Sequence, residues 1–529
     1  MNQPSLLVLS PGDDVAVARG DIAEGQRLSA DGIELIARQP IPSGHKVALR
    51  GVSAGQQVLK YGQTIGQATQ SIEPGDYVHV HNLAMPTVNT EHSVQNTYVP
   101  TALSPEPVTF EGYLRDDGRV GTRNYIGIIS SVNCSATVCK HIAHAFSAER
   151  LKDFPNVDGV VAITHGSGCG MGAKGEGIDI LKRTLSGYAN HANFAGVLLI
   201  GLGCEVNQLT PLLDELDDRS ALLKASLIIQ DAGGTRETVQ RGIAHIQAML
   251  PVINSFKRTT VPASHLCVGL QCGGSDGYSG ITANPALGAA VDLLVQQGGT
   301  AILSETPEIY GAEHLLTARA ASPDIAAKLM DRIHWWEAYV HHNDGDMNNN
   351  PSPGNKEGGI TTILEKSLGA VAKAGATGLM GVYQYAETIE ARGLVFMDTP
   401  GYDPVSATGQ VAGGANLICF TTGRGSTYGC KPTPSLKIAT NTGLFQRMEL
   451  DMDFNAGGIV EGLESVAESG QRLFQLMLDT ASGRQTCSEE NGLGDNEFLP
   501  WQIGAVMRGR LEFTKHGRVH QRRSYRSLW

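Results

Sequence analysis

The stretch that decides the fold is Gln271-Cys272-Gly273-Gly274-Ser275-Asp276-Gly277-Tyr278-Ser279-Gly280-Ile281-Thr282-Ala283-Asn284-Pro285. It follows an apolar run at 266–270, which is typical of a buried strand, and it precedes residues 286–295, which are typical of a helix. A simple turn would need one or two glycines, whereas this loop has four, together with a thiol, a carboxylate, a phenol and three hydroxyls. Backbone amides in such a loop can approach a ligand closely. We therefore predict that it forms the floor of an active site; the alternative is a glycine-rich turn around an ordinary buried cysteine.

The same order of apolar strand, polar loop and helix recurs along the chain. It occurs at residues 125–134, 159–170, 197–208, 227–235, 301–308, 394–401 and 417–425. Buried strands that alternate with helices predict layered α/β domains with largely parallel sheets. Ligands of such sheets bind beyond the carboxyl ends of the strands, which is where these polar loops fall. We place one α/β domain at 109–258 and a second, C-terminal one at 259–507.

The two ends of the chain differ from this pattern. Residues 1–85 have short alternating segments separated by glycine and proline turns, which predicts a small all-β domain. Residues 86–108 contain four prolines and predict a linker, whose flexibility would let the small domain close over the larger body. Residues 508–529, with seven Lys or Arg against one Glu, predict a disordered tail. Between them, a polar insertion at 341–359 has too few apolar residues to pack by burial, so we expect it to cross the active site.

Composition narrows the class of protein. A chain of 529 residues suggests about three domains, and a net charge of -12 argues against nucleic acid as a partner. The sequence shows neither a membrane span nor a signal peptide. Nine cysteines, an odd number, favour a reducing cytoplasm and free thiols. The glycines at 166–172 lack the spacing of a dinucleotide site and there is no phosphate-binding loop, so we predict no nucleotide cofactor.

Three cysteines are the predicted metal ligands. Cys169, Cys204 and Cys272 each lie in a glycine-rich loop shortly after an apolar strand. Three convergent thiolates could bind iron, as one ion or as a cluster, and an iron with an open position is a Lewis acid for a carboxylate and a hydroxyl. The alternative is three buried thiols, since no Cys-x-x-Cys spacing occurs. His79 and His81 are alternative ligands, because they would project from one face of a strand predicted at 77–81.

Cations that could hold an anionic substrate occur beside glycine or proline. Lys46, Lys60, Lys356, Arg424 and Lys431 all lie within two residues of one. Arg424, between two glycines, has the best placement for a carboxylate clamp. Each of them alone is more often a solvated surface charge, but five such placements favour a binding role.

Longer motifs carry a resemblance to a known family. They are Gly44-His45-Lys46, Lys60-Tyr61-Gly62, Gly118-Arg119-Val120-Gly121-Thr122-Arg123-Asn124, Gly201-Leu202-Gly203-Cys204-Glu205, residues 272–285, Asn350-Pro351-Ser352-Pro353-Gly354-Asn355-Lys356, Glu365-Lys366-Ser367-Leu368-Gly369 and Thr422-Gly423-Arg424-Gly425. At these residues the chain resembles the altronate/galactarate dehydratase family, whose N-terminal domain is of the SAF type. The likeness runs from about residue 8 to residue 507, and at 281–285 and 310–313 it is greater to the altronate dehydratases.

The resemblance implies dehydration of a sugar acid, altronate or a similar aldonate, to a 2-keto-3-deoxy acid with a divalent metal, typically iron. Galactarate dehydration stays open, and so does a different leaving group, because relatives include a sulfolactate sulfo-lyase. Ser10 stands where relatives usually carry a His before an Asp-Asn-Val-Ala segment. If that His is a metal ligand or base in relatives, its role here is lost or passes to His45, His79 or His81. A non-catalytic sugar-acid binding protein is the alternative from another class.

Removing a proton next to a carboxylate requires a base, an acid for the departing 3-hydroxyl, and cations or a metal that spread the developing charge. We predict His45 as base or acid, with Lys46, Lys356 and Arg424 holding the carboxylate and hydroxyls. Asp276 and Glu205 would orient the ligands of the site from behind them. We expect a small anionic sugar acid as partner, no nucleic acid or membrane, and a homodimer. The further predicted substrate contacts are Lys60, Tyr61, Ser275, Asp276, Asn355 and Thr422.

Overall fold

The computed structural model describes residues 6–30, 32–87, 96–215 and 223–503. The predicted fold class is confirmed, because a small antiparallel β domain is followed by α/β regions with parallel sheets. Within the described residues, no helix is both long enough and apolar enough to cross a membrane. The tail predicted at 508–529 lies outside the described residues.

The N-terminal domain consists of short antiparallel strands. Apolar residues alternate inward along them, and Val17, Val47, Val58 and Ile65 are fully buried. Strands β1, β2, β5 and β8 form one sheet in that order, β6, β7 and β9 form another, and β3 and β4 form a hairpin. The strands are β1 (Leu6–Leu7), β2 (Val15–Ala18), β3 (Arg27–Ala30), β4 (Ile33–Ile36), β5 (Lys46–Ala48), β6 (Gln57–Lys60), β7 (Gln63–Ala68), β8 (Tyr77–Val78) and β9 (Leu83–Ala84).

The second domain is built on a parallel sheet. Its strands lie in the order β13, β12, β14, β15, and β16 pairs antiparallel with β10 where the chain leaves this domain. The strands are β10 (Thr109–Leu114), β11 (Val120–Gly121), β12 (Tyr125–Ser130), β13 (Gly159–Ile163), β14 (Phe194–Gly201), β15 (Leu223–Ile228) and β16 (Thr259–Pro262). The helices are α1 (Ala136–His144), α2 (Ala148–Leu151), α3 (Glu176–Ala189), α4 (Leu209–Glu215) and α5 (Thr235–Ile253).

The C-terminal domain has a larger parallel sheet with β17 at its centre. The strand order is β19, β20, β18, β17, β21, β22, β23, and β17 ends at Cys272. Its strands are apolar because helices cover both faces. The strands are β17 (Cys267–Cys272), β18 (Thr300–Leu303), β19 (Leu379–Tyr383), β20 (Gly393–Met397), β21 (Leu417–Thr422), β22 (Ser435–Ala439) and β23 (Phe454–Asn455). The helices are α6 (Ala283–Gln296), α7 (His314–Thr317), α8 (Pro323–His342), α9 (Pro353–Glu357), α10 (Ile363–Val371), α11 (Asp403–Ala412), α12 (Thr442–Arg447), α13 (Val466–Ala481) and α14 (Cys487–Glu490).

The loop after β17 contacts the N-terminal domain. The Tyr278 hydroxyl donates to Ala18 O at 2.8 Å and lies 2.7 Å from Ser43 Oγ. A Cβ at Gly277 would clash with Gly44 O, and one at Gly280 would lie 2.7 Å from the Tyr61 hydroxyl. Gly277 and Gly280 therefore leave the room that close contact with the N-terminal domain needs. The sequence did not indicate this role.

Residues 96–108, in the predicted linker, lie along the C-terminal domain. Thr97 N donates to Ala318 O at 2.6 Å and Ser104 N to Gln296 O at 2.8 Å. Val108 N donates to the Gln297 side chain at 2.8 Å. Residues 96–108 are therefore hydrogen-bonded to the C-terminal domain, and the flexibility expected of the linker is wrong for them. Residues 88–95 lie outside the described residues.

Candidate active site

The thiol of Cys272 lies among charged side chains at the carboxyl end of β17. Lys373 Nζ is 3.0 Å from its sulfur, and the nearest oxygens of Glu308 and Glu305 are at 3.4 and 3.9 Å. All four side chains are buried. Burial, only partly offset by Lys373, raises the pKa of Cys272 to about 12, so that the sulfur is a thiol at neutral pH.

Glu305 and Glu308 follow the neighbouring strand β18, and their pKa values are shifted in opposite directions. Lys366 Nζ and Asn350 Nδ2 donate to Glu308 Oε1 at 2.7 and 2.8 Å. Although burial opposes it, Lys366 and Lys373 lower the pKa of Glu308. Burial and then the charge of Glu308 raise the pKa of Glu305 well above its usual value, because two carboxylates this close do not both ionise.

This group has the chemistry of a metal site. Ligand atoms of Cys272, Glu305 and Glu308 all lie within 4.8 Å of one another, and no other group of three His, Cys, Asp or Glu in the described chain meets that criterion. Glu305 has a left-handed backbone, with φ of 68°, and its buried Oε1 has no hydrogen-bond partner. One sulfur and two carboxylates suit a borderline divalent ion, and binding would release the protons of Cys272 and Glu305.

A second buried charge group joins the N-terminal domain to this one. Lys46 Nζ and Lys60 Nζ each lie 2.8 Å from a carboxylate oxygen of Glu365 in α10. Although burial opposes it, the two ammonium groups lower the pKa of Glu365. Burial lowers the pKa of Lys46 to about 8. The predicted cations Lys46 and Lys60 therefore bind a carboxylate of the protein itself in this structure.

A narrow cavity lies between the two charge groups. Lys60, Tyr61, Ser275, Lys366 and Cys272 are among its lining residues. Its volume is about 10 Å³, roughly the room that one water needs. A molecule much larger than water therefore does not fit this cavity as it stands.

His45 lies at the rim of the same interface. Its Nδ1 is 2.7 Å from the Tyr77 hydroxyl and its Nε2 is 3.1 Å from Glu357 O. A carbonyl only accepts, so Nε2 carries the proton and Nδ1 accepts from Tyr77. Burial lowers the pKa of His45, which keeps the ring neutral.

His79 and His81 do not share a strand. Strand β8 ends at Val78, and residues 79–82 form a turn in which His79 N donates to Asn82 Oδ1 at 2.9 Å. The ring of His79 stacks on Tyr77 at 5.4 Å and also lies 5.3 Å from His45, whereas His81 is exposed. The predicted strand at 77–81 is wrong because the Asn82 side chain closes the turn.

The end of the insertion at 341–359 lies against this interface. Gly359 O accepts from Lys46 Nζ at 2.6 Å, and Gly358 O accepts from Gly277 N at 2.7 Å. Lys356 is half-buried in α9 of this insertion. Arg424 is 43% exposed and pairs with Glu357 of the insertion at 3.0 Å, so it lies at the outer edge of the site.

Several other predicted substrate contacts are engaged within the protein. Asp276 is buried and accepts from Thr440, Asn441, Ser279 and Tyr278 N. Asn355 completes the capping box of α9 and donates to Ser275 O at 2.9 Å. Thr422 Oγ1 accepts from Gly425 N at 3.0 Å. These side chains hold the loops that surround the cavity.

The predicted three-cysteine centre does not form. Cys272 is buried in the C-terminal sheet, whereas Cys169 and Cys204 are exposed in loops of the second domain. Glu205 accepts from Ser131 Oγ at 2.7 Å and from Gly203 N at 2.6 Å, both in the second domain, and its role in orienting ligands stays a prediction. Ser10 donates through its amide to Asp13 at 3.0 Å, and Asp13 also accepts from Tyr61 N, so position 10 adjoins the turn that follows Lys60.

Sequence reasoning assigned no role to five charged residues of the site: Glu305, Glu308, Glu365, Lys366 and Lys373. The acidic pair lies in the polar loop at 301–308 that follows an apolar strand, and this pattern by itself does not indicate a role for either residue. Lys366 and Lys373 are seven residues apart in an otherwise small and apolar segment. That spacing puts both on one helical face and could have indicated a buried pair.

The comparisons with known proteins agree with this architecture. Residues 4–86 match the altronate/galactarate dehydratase SAF domain, and residues 112–254 match the D-galactarate dehydratase/altronate hydrolase second domain. Residues 263–506 match the D-galactarate/altronate dehydratase C-terminal domain. The altronate dehydratase of Bacillus subtilis is 35% identical over 488 residues, which cover 92% of this chain and 97% of the relative. The chain belongs to the D-galactarate/altronate dehydratase family.

Two further relatives show the range of this family. The galactarate dehydratase (L-threo-forming) of Escherichia coli is 40% identical over 492 residues, covering 91% of this chain and 94% of the relative. The beta subunit of a (2R)-sulfolactate sulfo-lyase from Chromohalobacter salexigens is 31% identical over 394 residues, covering 74% of this chain and 96% of the subunit. The dehydratase membership makes the chain a hydro-lyase of the sugar-acid dehydratase type.

Proposed function

We propose that the protein dehydrates altronate or a similar aldonate to a 2-keto-3-deoxy acid with a divalent metal, for which iron is the first candidate. The observation that carries this proposal is the buried Cys272, Glu305 and Glu308 group, with ligand atoms within 4.8 Å of one another, beside a cavity lined by Lys60 and Lys366. A metal held there would supply Lewis-acid stabilisation of the charge that develops next to the carboxylate.

The side chains of the interface supply the remaining chemistry. Lys60 and Lys366 face the cavity from opposite domains and would hold the carboxylate of the substrate. His45 is neutral and its Nδ1 lone pair accepts from the Tyr77 hydroxyl, so Nδ1 can take the proton from C2 when that hydroxyl is displaced. The protonated His45 then gives this proton to the 3-hydroxyl, which leaves as water, and the resulting enol rearranges to the 2-keto acid.

Closure of the N-terminal domain would assemble this arrangement. His45, Lys46 and Lys60 all belong to that domain, so they move together relative to Cys272 and Lys366. Because the closed cavity holds about one water, we propose that substrate binds to an open form and replaces part of the Lys60 pairing with Glu365. Closure after substrate binding would also exclude bulk water from the reacting atoms.

Galactarate is the second candidate substrate. The galactarate dehydratase relative shares 40% of aligned residues, against 35% for the altronate dehydratase relative. Galactarate carries a carboxylate at each end, and Arg424 at the outer edge of the site could contact the second one.

The deciding experiment is a substrate panel. Purified protein, made metal-free with a chelator and then given ferrous iron, is incubated with altronate, galactarate or sulfolactate, and 2-keto acid and sulfite are assayed. Lys60→Met should abolish turnover, whereas Lys431→Met, whose exposed partner is Asp495, should not. If the loaded protein binds a sugar acid without product, it is a sugar-acid binding protein and the proposal is wrong.

Cellular location and assembly are also proposals. All nine cysteines are free, which favours the reducing cytoplasm. The homodimer stays a prediction that sedimentation of the purified protein would test.

A further inference from the structure

The second domain gathers three thiols that the Cys272 site does not use. All nine cysteines lie within the described residues, and three of them, Cys134, Cys169 and Cys204, are exposed while the other six are buried or half-buried. Cysteine is among the residues most often buried. The three exposed thiols all follow strands of one sheet, so they lie on the same side of the second domain.

The sheet places these thiols side by side. Cys134 follows β12, Cys169 follows β13 and Cys204 follows β14, and the strand order puts β12 between the other two. The carboxyl ends of parallel strands share one edge of a sheet, which is where ligands of such folds bind. Gln230, beyond the end of β15, donates to Cys204 Sγ at 3.6 Å.

Hydrogen bonds fasten the three loops to one another. Asn133 N donates to Ser167 O at 2.9 Å, which ties the Cys134 loop to the Cys169 loop. Asn207 N donates to Gly168 O at 3.1 Å, and Asn207 Nδ2 donates to Ser131 O at 2.9 Å, so the Cys204 loop joins both. Since the backbones are held together, the thiols project from a preorganised edge.

The spacing of the thiols favours a large ligand over a single ion. A tetrahedral ion with metal–sulfur bonds of about 2.3 Å needs its sulfurs roughly 3.8 Å apart. Among the described residues, the group whose ligand atoms lie within 4.8 Å of one another is Cys272 with Glu305 and Glu308. The three sulfurs of Cys134, Cys169 and Cys204 are therefore farther apart than that. An iron–sulfur cluster spreads its protein ligands over several iron atoms and fits the wider arrangement.

The local electrostatics support thiolate ligands. Cys134 lies in the turn immediately before α1, where the positive end of the helix dipole favours a negative sulfur. Gly168, Gly170 and Gly203 have positive φ angles of 95°, 68° and 125°. Positive φ angles are conformations that glycine adopts without strain, so these loops can approach a ligand at the sulfur-bearing edge closely.

We infer that Cys134, Cys169 and Cys204 hold an iron–sulfur cluster of the four-iron type at the carboxyl edge of the second-domain sheet. Three thiolates occupy three of its irons, and the fourth iron has an open position for a carboxylate or hydroxyl oxygen. Each thiol loses its proton on binding. This site is separate from the Cys272 group, so its existence does not depend on the substrate proposed above.

The test measures iron and acid-labile sulfide in full-length protein that has been purified without oxygen and reconstituted with ferrous iron and sulfide. The wild type should hold about four sulfide and four iron per chain in the cluster, with at most one further iron at the Cys272 group, and should show visible absorption and an electron paramagnetic resonance signal after reduction. Cys134→Ser, Cys169→Ser and Cys204→Ser should each lose most of the sulfide. Cys487→Ser should keep all of it, and Cys272→Ser should keep the sulfide while losing at most one further iron.

Alkylation followed by mass spectrometry gives a second readout that needs no variant. Loaded wild-type protein should protect the peptides of Cys134, Cys169 and Cys204, and removal of the cluster should make all three reactive. Because these side chains are exposed, the serine variants should keep the circular dichroism and melting temperature of the wild type. A wild type without acid-labile sulfide, a zinc ion in its place, or equal sulfide in all variants would overturn the inference. The sugar-acid assay would remain informative in each case.

Discussion

Lys60 Nζ in β6 lies 2.8 Å from Glu365 Oε1 in α10, and both side chains are almost completely buried. The other oxygen of the same carboxylate lies 2.8 Å from Lys46 Nζ and also accepts from Thr361 N at 2.9 Å. One carboxylate of the C-terminal domain therefore binds two cations of the N-terminal domain. This pairing positions Lys60 beside the cavity and sets the energy needed to open it.

Replacing Glu365 should destabilise the protein strongly. Glu365→Gln leaves two buried ammonium groups without an anion, and breaking a buried pair in this way costs about 3–5 kcal/mol. Asp495→Asn is the matched control, because Asp495 is 69% exposed and surface pairs contribute at most about 1 kcal/mol. Urea denaturation of wild type and both variants measures the difference. Equal losses in the two variants would contradict a special role for Glu365.

The contribution of Glu365 should depend on pH in a defined direction. Its pKa is lowered in the folded protein, so its stabilising effect is fully present above the unfolded value of about 4.3 and is lost as pH falls toward the folded value. The difference in unfolding free energy between wild type and Glu365→Gln should therefore be constant from pH 7 to 5 and shrink below about pH 4. A difference that grows on acidification would mean that the carboxylate is not ionised in the folded state.

Much of the fold could be predicted from sequence because its signals are local. Apolar runs followed by polar loops at 125–134, 267–277 and 417–425 belong to strands of parallel sheets, and the alternating segments before residue 85 belong to the small β domain. The strand predicted at 77–81 failed because a single side chain, Asn82, closes the chain into a turn. Such a competing side-chain bond has no periodic signal.

The candidate site was predicted only in part because two sheets share one sequence pattern. Cys204 and Cys272 both follow apolar strands, and nothing in the sequence states that they belong to different sheets. Lys373 approaches Cys272 across 101 residues of chain, a contact that depends on how α10 packs. The glycine close to Lys60 indicates a cation near a ligand, but the pairing of Lys60 with Glu365 across 305 residues is equally non-local.

Cys272→Ser should weaken metal binding without unfolding the protein. A hydroxyl is a poorer ligand than a thiolate for a borderline divalent ion, so the metal content after dialysis should fall while the melting temperature of the metal-free protein changes little. Cys419→Ala is the matched control, because Cys419 is buried in the adjacent strand β21. Elemental analysis of both variants and the wild type decides the matter. Unchanged metal content in Cys272→Ser would remove this residue from the ligand set.

His45→Ala should lower kcat by about 100-fold or more, the usual effect of removing a general base. His265→Ala is the control, since His265 lies at the amino end of β17, away from the interface. Burial lowers the pKa of His45 below 6.5. Since the neutral ring is the active form, wild-type kcat should fall as the pH drops below this pKa. Tyr77→Phe, which removes the hydroxyl held by Nδ1, should shift this acidic limb. An identical limb in all variants would assign the titration to another group.

Glu305→Gln and Glu308→Gln should separate the two carboxylates of the metal group. Burial and the charge of Glu308 raise the pKa of Glu305, so the neutral amide resembles its metal-free state and should change stability by less than about 1 kcal/mol. Glu308 is ionised and binds Lys366 at 2.7 Å, so Glu308→Gln should cost about 3–5 kcal/mol in the metal-free protein.

Both glutamine variants should lose the stabilisation that ferrous iron gives the wild type, because each lacks one charged ligand. Wild-type affinity for the ion should increase with pH, since Cys272 and Glu305 must release protons on binding, and the increase should be shallower in Glu305→Gln. Thermal melts of metal-free and iron-loaded protein at several pH values measure these shifts. Equal destabilisation of the two metal-free variants would contradict the opposite pKa shifts of Glu305 and Glu308. If the increase in wild-type melting temperature that iron gives did not depend on pH, the ion would bind elsewhere.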